Sequence, residues 1–159
     1  MSDSPSSSSA SAGKTQLHFS ITIQAPRDKV WHTLLEQDTY RQWTAAFAPN
    51  SCYEGSWDEG AEIRFLAPGA GGMLARIAER REPEFISIQH LGMIDANGVV
   101  DRDSPMVRAW TPAFENYTLI ALDADRTELR IDQDIATDYE AMMQEMWPKA
   151  LAALKALCE

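Results

Sequence analysis

DYEAMMQEMWPKALAALKAL, residues 138 to 157, is the longest stretch of the chain with a helical repeat. Met143, Trp147, Ala150, Leu154 and Leu157 recur at spacings of three and four, so they share one helix face. About twenty residues of helix reach roughly 30 Å. Pro148 lies inside the stretch; it lacks a backbone N–H and its ring presses on the preceding turn, which predicts a kink or a helix restart. No other segment carries a helical repeat of this length, so the rest of the chain has one long helix to cover it.

Working upstream, Glu128 to Ile135 and Phe114 to Leu122 read as strands joined by the turn residues Asp123-Ala124-Asp125-Arg126. Before them, Asp95 to Pro112 contains Asn97-Gly98, Asp103-Ser104-Pro105 and Thr111-Pro112, which is turn chemistry, and a loop of this size is commonly functional or mobile. Four further strands are predicted over Cys52 to Trp57, Ala61 to Leu66, Met73 to Arg80 and Phe85 to Ile94, punctuated by Gly55, Asp58-Glu59-Gly60, Pro68-Gly69 and Glu82-Pro83. That rhythm is an antiparallel meander. Leu17, Phe19, Ile21 and Ile23 alternate with His18, Ser20 and Thr22, the period of two of a strand with one buried face. Ala25-Pro26-Arg27 ends this strand, and short helices are predicted over Pro26 to Leu35 and about Asp38 to Trp43.

About seven strands, two short helices after the first of them and one long terminal helix make an α+β domain whose single antiparallel sheet must cover its apolar face. A helix laid over a curved sheet cannot fill the whole concavity. The remainder is either side chain or cavity.

Composition narrows the function. Fourteen basic against twenty-four acidic residues give a net charge of -10, which repels a phosphate backbone or an anionic membrane. Nucleic-acid binding and membrane insertion are not expected, since no run of about eighteen apolar residues exists. Cys52 and Cys158 lack the paired spacing of zinc or redox sites and read as free thiols. His18, His32 and His90 share no ligand spacing, so no metal is expected. Gly69, Gly71 and Gly72 read as turn residues, because no Lys-Ser/Thr follows them as in a phosphate loop. No cofactor is expected. Residues 1–14 are Ser-rich, read as a disordered tail ahead of a 15–159 domain, and lack a secretory signal, so a cytoplasmic location is expected.

Several segments resemble a known family. Ile21-Thr22-Ile23-Gln24-Ala25-Pro26 with Val30-Trp31, Trp43, Ile86 to Gly92, Phe114-Glu115-Asn116-Tyr117-Thr118, Thr127-Glu128-Leu129 and Trp147-Pro148-Lys149-Ala150-Leu151 are similar to the START-like or SRPBCC superfamily. Within it they resemble the subgroup related to the C-terminal domain of Aha-type heat-shock ATPase activators. The resemblance implies a helix-grip fold, with a curved antiparallel sheet of six to seven strands around the C-terminal helix. It also implies a range of functions, since such folds host lipid carriers, hormone receptors, polyketide cyclases and chaperone activators. The additional N-terminal domain of those activators is not expected here.

Strand parity predicts which side chains face inward: Ile63 and Phe65, Ala75 and Ile77, Ile86, Ile88 and His90, Tyr117 and Leu119, Leu129 and Ile131. Met143, Met146 and Trp147 would roof the hollow from the helix, and Trp43 would close one end. The candidate pocket is therefore Trp43, Phe65, Ile77, Ile88, His90, Tyr117, Leu119, Met143 and Trp147. The same stripe is also what a plain core requires, so its polar members discriminate, because a buried hydroxyl or imidazole without a partner costs on the order of 1–3 kcal/mol. His90 is either a satisfied core histidine or a proton shuttle. Catalysis would need a second titratable group in reach, and only scattered carboxylates such as Glu79, Asp132 and Asp134 offer themselves. Three functions follow as expectations: a module binding a small hydrophobic or amphipathic molecule, a cyclase or hydratase using His90 and Tyr117, or a chaperone-binding module, with homodimerisation open.

Overall fold

The computed structural model describes residues 13–159. The Ser-rich segment assigned to 1–14 lies outside the described residues up to position 12, while Lys14 already opens the first strand. That strand, β1 (Lys14–Ile23), leads to α1 (Arg27–Leu35), α2 (Gln37–Trp43) and a turn of 3-10 helix. Pro26 sits at the N-cap of α1, where its missing N–H leaves no gap in the helix. Strands β2 (Cys52–Gly55), β3 (Glu62–Ala67), β4 (Gly71–Arg81) and β5 (Phe85–Ile94) follow. After the 95–112 connection come β7 (Ala113–Asp123), β8 (Arg126–Ala136) and the long helix α4 (Glu140–Cys158).

All strand pairs are antiparallel, and the sheet order is β1-β8-β7-β5-β4-β3-β2. An eighth strand, β6 (Val100–Asp101), pairs with β5 inside the segment expected to be a loop. The same segment holds a single helical turn, α3 (Pro105–Arg108), capped by the Ser104 hydroxyl and pinned by the buried side chains Val107 and Trp110. It is thus tied to the body of the fold at two points.

Curvature comes from register shifts in the β4–β5 pair at Leu74/Ala75 and Ile77/Glu79, since an unpaired extra residue bends a strand and sharpens its twist. Across the concave face runs α4, unbroken through Pro148 and without the expected restart. Pro148 and Gln144, whose carbonyl loses its partner, are both on the exposed side, where water can satisfy that oxygen.

The inward parity follows the sequence pattern: Ile63, Ala75, Ile77, Ile86, Ile88, Tyr117, Leu119, Leu129 and Ile131 all belong to one core. Val30, Trp31 and Leu34 of α1 and Ala150, Leu151 and Leu154 of α4 complete it. This packing fills the hollow beneath α1 and the C-terminal half of α4. Beneath the N-terminal half of α4 it does not.

Candidate functional site

A cavity of about 240 Å³ lies between the sheet, α2 and the first turns of α4. Among the nine candidates, Trp43, Phe65, Ile88, His90, Tyr117, Met143 and Trp147 line it. Ile77 and Leu119 do not; they are buried at 0% and 2% exposure in the solid part of the core. Strand parity identifies the face of the sheet, but that face extends past the cavity to the region filled from α1 and α4. Met146 is half-buried and also lies off the lining.

Tyr40, Phe47 and Trp57 join the wall without having been foreseen. Tyr40 had a signal, standing three residues before Trp43 and thus on the same side of α2. Trp57 and Tyr53 are both steered by Leu35, whose carbonyl accepts the Trp57 indole N–H at 3.1 Å and the Tyr53 hydroxyl at 2.5 Å. The Trp43 indole is fixed by the Leu34 carbonyl at 3.2 Å. These helix-end carbonyls orient Trp43 and Trp57 on the cavity wall, with Tyr53 packed against Trp57 off the lining.

One polar network sits in this apolar setting. His90 Nε2 is 2.9 Å from Glu115 Oε1, and the Gln133 amide donates to the same oxygen at 3.4 Å. The Tyr117 hydroxyl donates to Glu115 Oε2. The Trp147 indole N–H donates to Gln133 Oε1 at 2.7 Å, linking α4 to the base of the network. His90 Nδ1 is buried without a hydrogen-bond partner. Register explains the assembly, because Ile88 faces Glu115 across β5–β7 and Glu115 faces Gln133 across β7–β8.

Glu115 is the second titratable group that acid–base chemistry at His90 would need. It shares strand parity with Tyr117 two residues later, and that was the available signal. The carboxylates named from the sequence are elsewhere: Glu79 meets Arg81, Asp132 meets His18, and Asp134 accepts from the backbone of Phe114.

The electrostatics follow from burial. Desolvation favours the neutral acid of Glu115, but the hydrogen bond and charge attraction of the His90 ring, with the Tyr117 and Gln133 donors, hold it below the usual carboxylate range. Burial pushes the Tyr117 phenol well above its ordinary value, and the adjacent Glu115 charge pushes it further. Tyr40 is raised by burial and then by Glu115 as well. At neutral pH the network therefore holds an ionised Glu115 carboxylate, while the Tyr117 and Tyr40 phenols keep their protons. Among the described residues no group of three His, Cys, Asp or Glu side chains is arranged to hold a metal, and no helix is long and apolar enough to cross a membrane.

Comparison with known proteins places the chain in a family. The family model described as "Activator of Hsp90 ATPase homolog 1-like protein" matches residues 24–159. No curated protein matches the sequence. Among solved structures, the Aha1 dimer from Colwellia psychrerythraea is similar at TM-score 0.69 and 19% identity, covering 91% of this chain and 96% of that one. Protein MLL2253 from Mesorhizobium loti is similar at TM-score 0.69 and 15% identity, covering 90% and 96%. The Zhui aromatase/cyclase from Streptomyces sp. R1128 is similar at TM-score 0.61 and 17% identity, covering 91% and 93%. At these identities the structures establish a shared fold, whereas the family model spans nearly the whole described domain. The chain belongs to the Aha-type subgroup of the START-like superfamily, the family of Activator of Hsp90 ATPase homolog 1-like proteins.

Proposed function

We propose that the chain binds a small, mainly apolar molecule in the cavity beneath α4, with the polar end of the ligand meeting the His90–Glu115–Tyr117 network. The observation that carries this reading is a cavity of about 240 Å³ walled largely by aromatic and aliphatic side chains, with a hydrogen-bonded network at its base. A cavity of about 150 Å³ with an apolar lining accepts benzene, so this one has room for a single substituted ring or a short branched chain. Few polar groups in an apolar pocket are the usual means of orienting such a ligand.

Trp43, Trp57 and Trp147 all line the space, so their fluorescence reports occupancy directly. A ligand at a hundred times its dissociation constant adds about 2.7 kcal/mol of stability. For a domain of this length that raises Tm by roughly 5–11 °C. Native mass spectrometry of freshly purified protein and a thermal-shift screen of metabolite extracts test the reading together. An extract that shifts neither Tm nor tryptophan emission, with no co-purifying mass, would refute it.

A second reading draws on the same network. His90 held by Glu115 has the form of an oriented acid–base group, and the similar Zhui structure is an aromatase/cyclase. Under this reading a bound ring is turned over, and turnover falls sharply in His90→Gln and Tyr117→Phe. Unchanged conversion of a bound compound in both variants would dismiss it.

A further inference from the structure

Hydrogen bonding on the cavity wall narrows the class of ligand, given the small-molecule reading above on which this inference rests. Most donors there are spent within the protein. The Trp43 and Trp57 indoles donate to the carbonyls of Leu34 and Leu35, the Trp147 indole to Gln133, and the Tyr117 hydroxyl to Glu115. The Thr44 and Ser51 hydroxyls donate to the carbonyls of Tyr40 and Ala48. The Tyr40 hydroxyl is different: Tyr40 lines the cavity, yet among the described residues its O–H has no hydrogen-bond partner. His90 Nδ1 also lacks a partner, but it is enclosed by protein atoms and out of a ligand's reach, whereas the Tyr40 oxygen keeps open surface.

Tyr40 is held by its ring and not by its oxygen. The ring packs edge-on against Tyr53 at 5.2 Å and Trp43 at 5.7 Å, with Phe65 at 6.1 Å between ring centres. These contacts fix where the hydroxyl lies without consuming its proton. Burial is the largest cause of the raised phenol value and the Glu115 charge is the next, so the oxygen lies within the protein on the side of the carboxylate network and keeps its proton at neutral pH. Water can serve such a hydroxyl until a ligand displaces it, and a ligand that does not restore the bond loses affinity. A carbonyl oxygen restores it and brings no donor of its own. An alcohol would add an O–H, and the nearby acceptors on Glu115 and Gln133 already receive Tyr117 and Trp147.

We propose that Tyr40 is the specificity-determining donor of this cavity and that the natural ligand is a carbonyl compound, a ketone, aldehyde or ester. Its oxygen accepts a hydrogen bond from the Tyr40 hydroxyl, and its hydrocarbon part fills the aromatic-walled space. A pure hydrocarbon would leave this donor unmet.

The test uses the full chain and two probes of the same skeleton, acetophenone and α-methylstyrene, in which a methylene group stands in place of the carbonyl oxygen. Binding is followed through the indole N–H resonances of Trp43, Trp57 and Trp147, which border the space. Tyr40→Phe removes only the oxygen, and comparing each probe between the two proteins cancels the probes' different hydration. Acetophenone is expected to bind the variant at least about fivefold more weakly than the wild type, and α-methylstyrene within about twofold. Equal effects on the two probes, or binding of α-methylstyrene alone, overturns the carbonyl assignment and leaves the apolar-pocket reading standing. Binding of neither probe to the wild type overturns both. Because the hydroxyl has no partner within the described protein, Tyr40→Phe should melt within about 3 °C of the wild type. A variant that melts far lower, or fails to fold, shows that the hydroxyl is engaged within the protein and likewise overturns the assignment.

Discussion

Replacing Trp147 by alanine tests whether α4 is pinned to the sheet where the cavity begins. Trp147 is 1% exposed and packs against Phe47 at 4.9 Å, Phe19 at 5.8 Å, and Trp43 and Tyr117 at 6.2 Å between ring centres. Truncating a buried aromatic residue costs about 3–5 kcal/mol. It also leaves Gln133 Oε1 without its donor, a loss of about 1–3 kcal/mol if that atom stays dry. Here the new space merges with the existing cavity, so water can reach Gln133 and most of the second loss is recovered. The expected destabilisation is therefore about 4–5 kcal/mol, or a Tm lower by roughly 8–20 °C for a domain of this length. Urea unfolding followed by circular dichroism measures it without relying on the lost fluorophore. A double-mutant cycle of Trp147→Phe with Gln133→Leu isolates the hydrogen bond, with a coupling of about 1 kcal/mol expected. A loss below about 1 kcal/mol in Trp147→Ala would show that α4 is held elsewhere and would refute the pinning argument.

Three more outcomes follow from the same geometry. Tyr117→Phe keeps the ring contacts but removes a donor to a buried carboxylate, so a loss of about 1.5–3 kcal/mol is expected in chemical denaturation, and no change would mean the bond is not formed in solution. Because Glu115 is held below the usual range when folded, its stabilisation is present above the unfolded value, about 4.3, and is lost as pH falls through the folded one. The Tm of the wild type should accordingly drop toward that of Glu115→Gln on acidification from pH 7, and parallel curves would contradict this. Gly71 and Gly69 both have positive φ, at 86° and 83°. A Cβ on Gly71 would meet the Ile94 carbonyl at 2.1 Å, whereas one on Gly69 meets nothing within 4 Å. Gly69→Ala should cost about 1–2 kcal/mol, and Gly71→Ala clearly more, by thermal melts run side by side; equal losses would show that β4 yields to accommodate the clash.

Much of the architecture could be read from local pattern. Period-two alternation placed β1 and assigned the inward residues Ile63, Ala75, Ile86 and Leu129, because a strand can bury only one face against one helix layer. Spacings of three and four placed α4, and Pro26 marked the start of α1 for the reason that any helix tolerates proline there. The two-residue strand β6 and the anchored turn at Val107 were not legible, since both depend on partners supplied by the rest of the fold. Glu115 is the instructive case. Its parity with Tyr117 was available in the sequence, yet a charged residue on a strand is ordinarily solvated, and nothing local indicates that His90, from a different strand, will meet it.

What the amino-acid order determined by itself was the set of elements and the face each one buries, because periodicity and turn chemistry act within a few residues of the chain. Where the sheet and α4 touch and where they part was decided only by the tertiary structure. Ile77 and Leu119 carry the same pattern as Ile88 and Tyr117, but the first pair is sealed in the core and the second opens on the cavity. That difference depends on how far the helices reach across a curved surface, a distance set by packing between segments remote in sequence.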